Sequence, residues 1–363
     1  DSVRVMCYNK QLFQEAGLDP INDVPKNWDE LFEVGKKLTQ INDSDSESSI
    51  YALNIGSDSY SSWTSRPFYL SMNSNALHYD INENKWKATF NDKGAVRATD
   101  YYLSLLQKPW TDISGKIRYG VGHKGDGWVK FHQGKLAIVF LTSSDLLMNS
   151  NLWIQSKTYD EIGIAKIPSS PLGLSISELY GMNLGISSSI KDPLVLDACW
   201  KFIRFMGSTE AKKIAVDTYV ENGFGRYVLP QVLEKFGYNE LIDKVPDDWA
   251  DAVTHSLNNH ELEPYGKNTQ HIYKYMDVPI SKGYMDQIGK NPNEEERLSK
   301  LQEYHDFAVA KSNEKMIGRI PADEIGKRYP IAIILSLIIF ILYGSLFYYV
   351  WKAFSPDDQV ISS

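Results

Sequence analysis

The chain has 363 residues, a net charge of −8 with both signs interspersed, and 43% hydrophobic residues. That length allows two domains and a sizeable core, and the lack of a basic stripe argues against a nucleic-acid partner. The two cysteines, Cys7 and Cys199, lie far apart in apolar settings and read as buried free thiols, so they do not report the redox compartment.

The first fifty residues carry clear start and stop signals. A short apolar strand runs into Asn9, which can cap a helix that Gly17 ends in the left-handed conformation, with Leu18 packing back. Asn27 starts a second helix with Glu30 as its capping-box partner, and Trp28, Leu31, Phe32, Gly35 and Leu38 fall on one face. Residues 44–49 read as a polar loop, 50–55 as a short strand, 56–65 as a loop and 66–72 as a helix. Residues 86–90 look like an edge strand, after which Asn91 or Asp92 caps a helix through Ala95, Ala98, Tyr102 and Leu105. A short helix over 128–132 stops at Gly134, and the apolar run LAIVFL at 136–141 has the pattern of a strand buried on both faces.

Residues 162–168 form a short strand running into a proline-ended loop, and a strand is expected within 181–187. Asp192-Pro193 starts a helix with Val195, Ala198, Cys199, Phe202 and Met206 on its buried face; Gly207 ends it and Ser208 starts another. Residues 231–315 are helical and polar-rich, and 292–296 look like the cap of the last domain helix. The twenty residues 331–350 are apolar without one charge, enough to cross about 30 Å of hydrocarbon. Tyr329 before the run and Tyr348, Tyr349 and Trp351 at its end resemble an interfacial belt, so a transmembrane helix is expected over 329–351.

The letters G-x-G-x-x-G occur at Gly120, Gly122 and Gly125, but the preceding stretch is polar and the following helix short, so the segment reads as a mobile loop rather than a nucleotide cradle. His255 and His260 are five apart, which does not face one metal, and no G-x-S-x-G elbow occurs. No catalytic residue, metal or cofactor is assigned. The 22 Tyr and 9 Trp are mostly packing, yet aromatic faces also suit the C–H faces of sugar rings.

The run Met6-Cys7-Tyr8-Asn9-Lys10-Gln11-Leu12-Phe13 through Ala16-Gly17-Leu18, then Val24-Pro25-Lys26-Asn27-Trp28-Asp29-Glu30, resembles the hinge-crossing segment of extracytoplasmic solute-binding proteins of the carbohydrate-binding class, which includes maltose-binding protein. Similar blocks follow in the family's order: Phe131, Gly134, Lys135 and Ala137; the stretch 162–168; Gly181-Met182-Asn183-Leu184-Gly185; and 198–211. Phe224-Gly225-Arg226 departs from the family's Pro-x-Arg turn. The resemblance, over roughly residues 3 to 310, implies an α/β protein of the two-lobe periplasmic-binding-protein type II fold with an incomplete first lobe, plus one C-terminal transmembrane helix. It divides the chain into 1–12 (hinge crossing), 13–180 (second lobe), 181–230 (returning first-lobe segment), 231–315 (C-terminal helices, mainly second lobe), 316–328 (linker), 329–351 (membrane helix) and 352–363 (tail). It also implies that about a hundred residues precede Asp1, a size set by the usual length of a domain, and that residues 1–320 alone would be poorly stable.

The function implied is non-enzymatic: capture of a sugar or oligosaccharide between closing lobes and delivery to an ABC permease, with the chain a single-pass membrane protein whose binding domain lies outside. The alternatives are the ectodomain of a membrane sensor and, behind it, a carbohydrate-active enzyme. Lys311, Lys315, Arg319, Lys327 and Arg328 precede the apolar run and Lys352 follows it, a bias that by itself places the large domain inside; exported domains cross largely regardless of such charge, so the resemblance is followed. In similar sugar binders the loop of Asp58, Tyr60 and Trp63 contacts ligand with an acid and an aromatic. Ser144 and Asp145 at the end of the 136–141 strand, Met182 and Asn183, Arg226, and Tyr273 or Tyr275 complete the candidate set.

Overall fold

The computed structural model describes residues 2–56, 61–123, 125, 127–143, 145, 161–181, 183–318 and 322–354. It opens with β1 (Ser2–Asn9), α1 (Lys10–Glu15) and α2 (Trp28–Leu38). The helix signals operate as read: Asn9 Oδ1 accepts from Leu12 N–H at 3.1 Å, Gly17 takes φ 73°, and Leu18 N–H reaches Phe13 O at 2.8 Å. Asn27 Oδ1 caps α2 through Glu30 N–H at 3.0 Å, while the Glu30 carboxylate accepts from Lys26 N–H. The five residues assigned to the inner face of α2 are all buried.

Next come β2 (Tyr51–Asn54), α3 (Ser61–Ser71), the hairpin β3 (Leu77–Asp80) and β4 (Lys85–Ala88), and α4 (Lys93–Gln107). α3 begins five residues before the expected helix. A carboxylate from far along the chain caps it: Ser61 Oγ and Ser62 N–H donate to Asp277 Oδ1 at 3.0 and 2.7 Å. Asp92 rather than Asn91 caps α4, accepting from Ala95 N–H at 2.7 Å.

A second hairpin, β5 (Pro109–Thr111) and β6 (Ile117–Tyr119), leads to β7 (Gly122–His123), α5 (Gly127–His132), β8 (Leu136–Thr142), β9 (Ile162–Ala165) and β10 (Ser177–Tyr180). The glycine-rich letters at 120–125 are the surroundings of β7, which pairs in parallel with β2 at the sheet edge. The helical remainder holds α6 (Pro193–Met206), α7 (Thr209–Glu221), α8 (Pro230–Phe236), α9 (Asp247–Asn258), the short strand β11 (His260–Leu262), α10 (Ile272–Met285), α11 (Glu294–Ser312) and α12 (Ala322–Phe354).

The seven-stranded mixed sheet runs β11-β10-β1-β8-β2-β7, with β9 also on β1. β1 sits at its centre. Its first residues pair with β10 and its last with β9 along one edge, while β8 runs antiparallel along the other. Every residue of β8 is buried, as its unbroken apolar run demands. Side-chain alternation splits β1 between two cores. Met6 and Tyr8 join the large cluster under α2, α3, α4, α10 and α11; Val5 and Cys7 join a smaller one with Val139, Leu141, Ile164 and Trp249. Burial holds the Cys7 thiol well above its usual pKa, whereas Cys199 is only half-buried.

Two local expectations are corrected. The strand expected within 181–187 ends earlier, at Tyr180. β1 offers pairing only as far as Ser2, opposite Tyr180, and residues 183–185 beyond it are exposed and irregular. α6 forms with the expected cap, Asp192 Oδ1 accepting from Leu194 N–H at 2.8 Å, but none of its residues is buried; Leu194 is 81% exposed and Phe202 57%. Among the described residues, α12 is the one helix long and apolar enough to cross a membrane, over Tyr329–Lys352.

Candidate functional site

Where β1 and β10 meet, an arginine stands in an otherwise apolar strand. Arg4 is fully buried, and its backbone is clamped to β10: Arg4 N–H donates to Ser177 Oγ at 2.9 Å, and Ser177 Oγ donates back to Arg4 O at 2.9 Å. An unpaired guanidinium here would cost several kcal/mol, so the surroundings must neutralise it. Glu178, also fully buried, does so: Arg4 Nη2 donates to its Oε2 at 3.1 Å and to the Tyr180 hydroxyl, which donates in turn to the same carboxylate oxygen. Arg66 of α3 approaches the other oxygen, Nε to Oε1 at 3.2 Å. Two cations thus share one carboxylate. Arg66 Nη1 is buried without a hydrogen-bond acceptor among the described residues.

Half-buried aromatics ring this charged floor. Trp63, in the first turn of α3, lies over Arg4 with its ring centroid 3.8 Å from Cζ, and its carbonyl accepts from Nη1 at 3.0 Å. Such contact between a guanidinium and an indole face is attractive and holds the ring in place. The Trp63 and Tyr180 rings are 6.2 Å apart. Tyr273 of α10 places its hydroxyl 3.2 Å from Glu178 Oε1 and 3.3 Å from Glu263 Oε1. Partial burial, reinforced by the Glu178 charge, lifts the Glu263 carboxyl above its usual range. Burial likewise raises the Tyr180 and Tyr273 phenols, which stay neutral donors. The arrangement offers aromatic surfaces, neutral hydroxyls and one accessible carboxyl over a buried ion cluster: equipment for holding a polyhydroxylated molecule.

Of the residues expected from sequence, Trp63 and Tyr273 are brought together here. Asp145 closes the end of β8, accepting from Thr142 N–H and Oγ1 at 3.0 and 2.7 Å, and Thr142 faces Arg4 across the ladder. Tyr275, like the body of Tyr273, packs against the large core. Asn183 is exposed past the end of β10. Arg226 lines a separate cavity of about 220 Å³ with Ser143, Tyr227 and Trp249. Asp58, Tyr60, Ser144 and Met182 lie outside the described residues. Arg4, Arg66, Glu178, Tyr180 and Glu263 were not anticipated. The available signal was a charge inside an apolar run, in VRVM at 3–6 and again in SELY at 177–180.

A model of the bacterial extracellular solute-binding protein family matches residues 1–213. Comparison with curated proteins finds no match. Among solved structures, an ABC transporter solute-binding protein from Thermotoga lettingae, bound with α-D-tagatose, superposes with a TM-score of 0.59 at 18% identity, over 85% of this chain and 70% of that one. A cyclic α-maltosyl-1,6-maltose binding protein from Arthrobacter globiformis gives 0.54 at 18% identity, with 85% and 70% coverage. An ABC substrate-binding protein from Listeria monocytogenes, in complex with cycloalternan, gives 0.54 at 19% identity, with 87% and 70% coverage. At these identities the likeness establishes the fold, the mixed α/β fold of periplasmic sugar-binding proteins.

Proposed function

The chain belongs to the bacterial extracellular solute-binding protein family, and from that premise we propose that it captures a saccharide at the Trp63–Tyr180–Tyr273 site and hands it to an ABC permease, without catalysing a reaction. The observation that carries this reading is the trio of half-buried aromatics over the buried Arg4–Glu178–Arg66 cluster. Sugars need flat apolar faces beside hydroxyl partners, and the site supplies both. The saccharide ligands of the structural neighbours support the same class.

In this reading residues 13–180 and most of 231–315 form one lobe, 181–230 belongs to the other, and the ligand favours the closed arrangement through contacts made only there. In the same reading Asp58, Tyr60, Ser144, Asp145, Met182 and Asn183 are further ligand contacts, while Arg226 lines the separate cavity. α12 anchors the chain in the cell membrane by a single pass, with the binding domain on the extracytoplasmic side; its apolar stretch Tyr329–Lys352 supports this.

The test is calorimetric titration of the full chain in detergent with a panel of mono- and oligosaccharides. Saturable binding to one sugar class, weakened at least tenfold by Trp63→Ala, is the expected result. Absence of binding across the panel, or tight binding that Trp63→Ala leaves unchanged, overturns the assignment of this site. Turnover of any glycan overturns the non-enzymatic reading.

A further inference from the structure

We propose that the β3–β4 hairpin is a membrane-contacting element that seats the binding domain on the phospholipid surface from which α12 emerges. This rests on the anchoring role proposed for α12. The hairpin is fastened to the end of the domain nearest that helix: Ala88 N–H donates to Asn313 Oδ1 at 2.9 Å, and Asn313 Nδ2 donates to Ala88 O at 3.4 Å. Ile317 is still buried, so the folded domain extends to Gly318. Three residues then separate Gly318 from Ala322, the start of α12. Four peptide steps reach at most about 15 Å, and the helix from Ala322 to Tyr329 adds about 10 Å. Gly318 is therefore tied within about 25 Å of the first apolar residue of the span. The hairpin strands run about 10 Å from Ala88 to the tip, a reach of the same order as the chain length between Gly318 and the span.

What the hairpin displays suits the headgroup layer. Ile81 at the tip is 82% exposed, Tyr265 against Trp86 62% and Tyr79 40%. Lys85 and Lys87 are exposed on either side of Trp86. Amphipathic rings, long-stemmed lysines and an exposed aliphatic tip are the residues of a membrane–water interface. An outer sugar platform is the competing use of such aromatics, and the ring geometry opposes it. Tyr79 and Tyr265 meet Trp86 edge-on, at 5.4 and 5.5 Å with interplanar angles of 63° and 66°. The Gly266 backbone lies so close against the indole that a Cβ there would come within 2.5 Å of it. The Trp86 ring is thus half-buried against its own neighbours, and Ile81 offers nothing to hydroxyls. With Asp80 and Glu83 on the same hairpin as the two lysines, contact is driven by Ile81 and the rings more than by charge. Tyr265 stands two residues from Glu263, so a seated hairpin holds the mouth of the saccharide site beside the bilayer.

The test uses the full chain in a Cys199→Ser background, with an environment-sensitive fluorophore on Ile81→Cys or, as control, on Ile113→Cys. It is reconstituted in phosphatidylethanolamine–phosphatidylglycerol vesicles carrying a headgroup nitroxide lipid. The expected result is flotation with the vesicles and at least twofold stronger quenching at position 81 than at 113. Tyr79→Asp together with Tyr265→Asp should reduce quenching at 81 without affecting flotation. Flotation with equal quenching at both positions overturns the hairpin's role and leaves the anchor standing. Failure to float overturns the anchor and the hairpin's role together. A change in the fluorescence at 81 on adding oligosaccharide in detergent, without membrane-dependent quenching, reassigns the hairpin to the sugar site.

Discussion

Glu178 carries the charge balance of the site, because Arg4 and Arg66 are both buried against its two oxygens. Glu178→Gln leaves two interior guanidinium groups without a compensating charge. It is expected to lower stability by about 3–5 kcal/mol, read as a fall in the urea midpoint at unchanged slope; a loss under 1 kcal/mol would mean that solvent reaches the cluster. A second buried group acts through pH. His305 Nδ1–H donates to Phe90 O at 2.6 Å, so Nε2 accepts from Thr99 Oγ1 at 2.8 Å, which accepts from Tyr69 at 2.6 Å. Every position is filled in the neutral form. Burial brings the His305 pKa down to about 4, against the opposing hydrogen bond to Phe90. The unfolded chain takes up this proton below pH 6.5 and the native one refuses it until about pH 4. The contribution is complete above 6.5 and fades through that window, on the order of 3 kcal/mol in all. Urea unfolding at pH 7 and pH 4.5 checks this, and His305→Gln should flatten the slope by one proton.

At the scale of elements, the sheet register around β1 sets the tightest steric demand. Gly163 on β9 faces Tyr8 on β1, and a Cβ at Gly163 would lie 2.1 Å from Tyr8 Cζ. The Tyr8 ring cannot swing away freely, because its hydroxyl donates to Pro20 O at 2.8 Å. Gly163→Ala is expected to cost about 1–3 kcal/mol by overpacking; in the double variant with Tyr8→Leu, the added cost of the alanine should largely vanish. Elements governed by neighbours in sequence were legible without the structure. The caps at Asn9 and Asn27, the buried face of α2 and the strand LAIVFL depend on residues at most a few positions apart. The start of α3 was not legible, since its cap, Asp277, is more than two hundred positions away. Neither was the floor of the site. Arg4, Glu178 and Arg66 come from three separated segments; the pairing of β1 with β10 joins the first two, and the packing of α3 brings Arg66 to Glu178. Trp63 is a candidate contact from sequence but reads there as a loop residue, because the helix that holds it starts from that distant cap.

At the scale of the molecule, stability is unevenly distributed. β1 and β8 are buried along almost their whole length, whereas α6 has no buried residue and packs mainly on α7. Amide hydrogens of α6 are therefore expected to exchange through local opening, while those of β8 exchange only with global unfolding. Ligand then provides a map of the site. At a hundred times its Kd a saccharide adds about 2.7 kcal/mol to the native state, and the amides that slow are those in elements whose opening destroys the site. If that site is the Arg4–Glu178 floor and its aromatics, β1, β10, α3 and α10 gain protection together, because each contributes a side chain to it. If instead the ligand occupies the cavity beside Arg226, protection centres on α9, whose Trp249 and Val253 line that space, and α3 is unaffected. Exchange with and without saturating sugar, read at α3 and α9, separates the two.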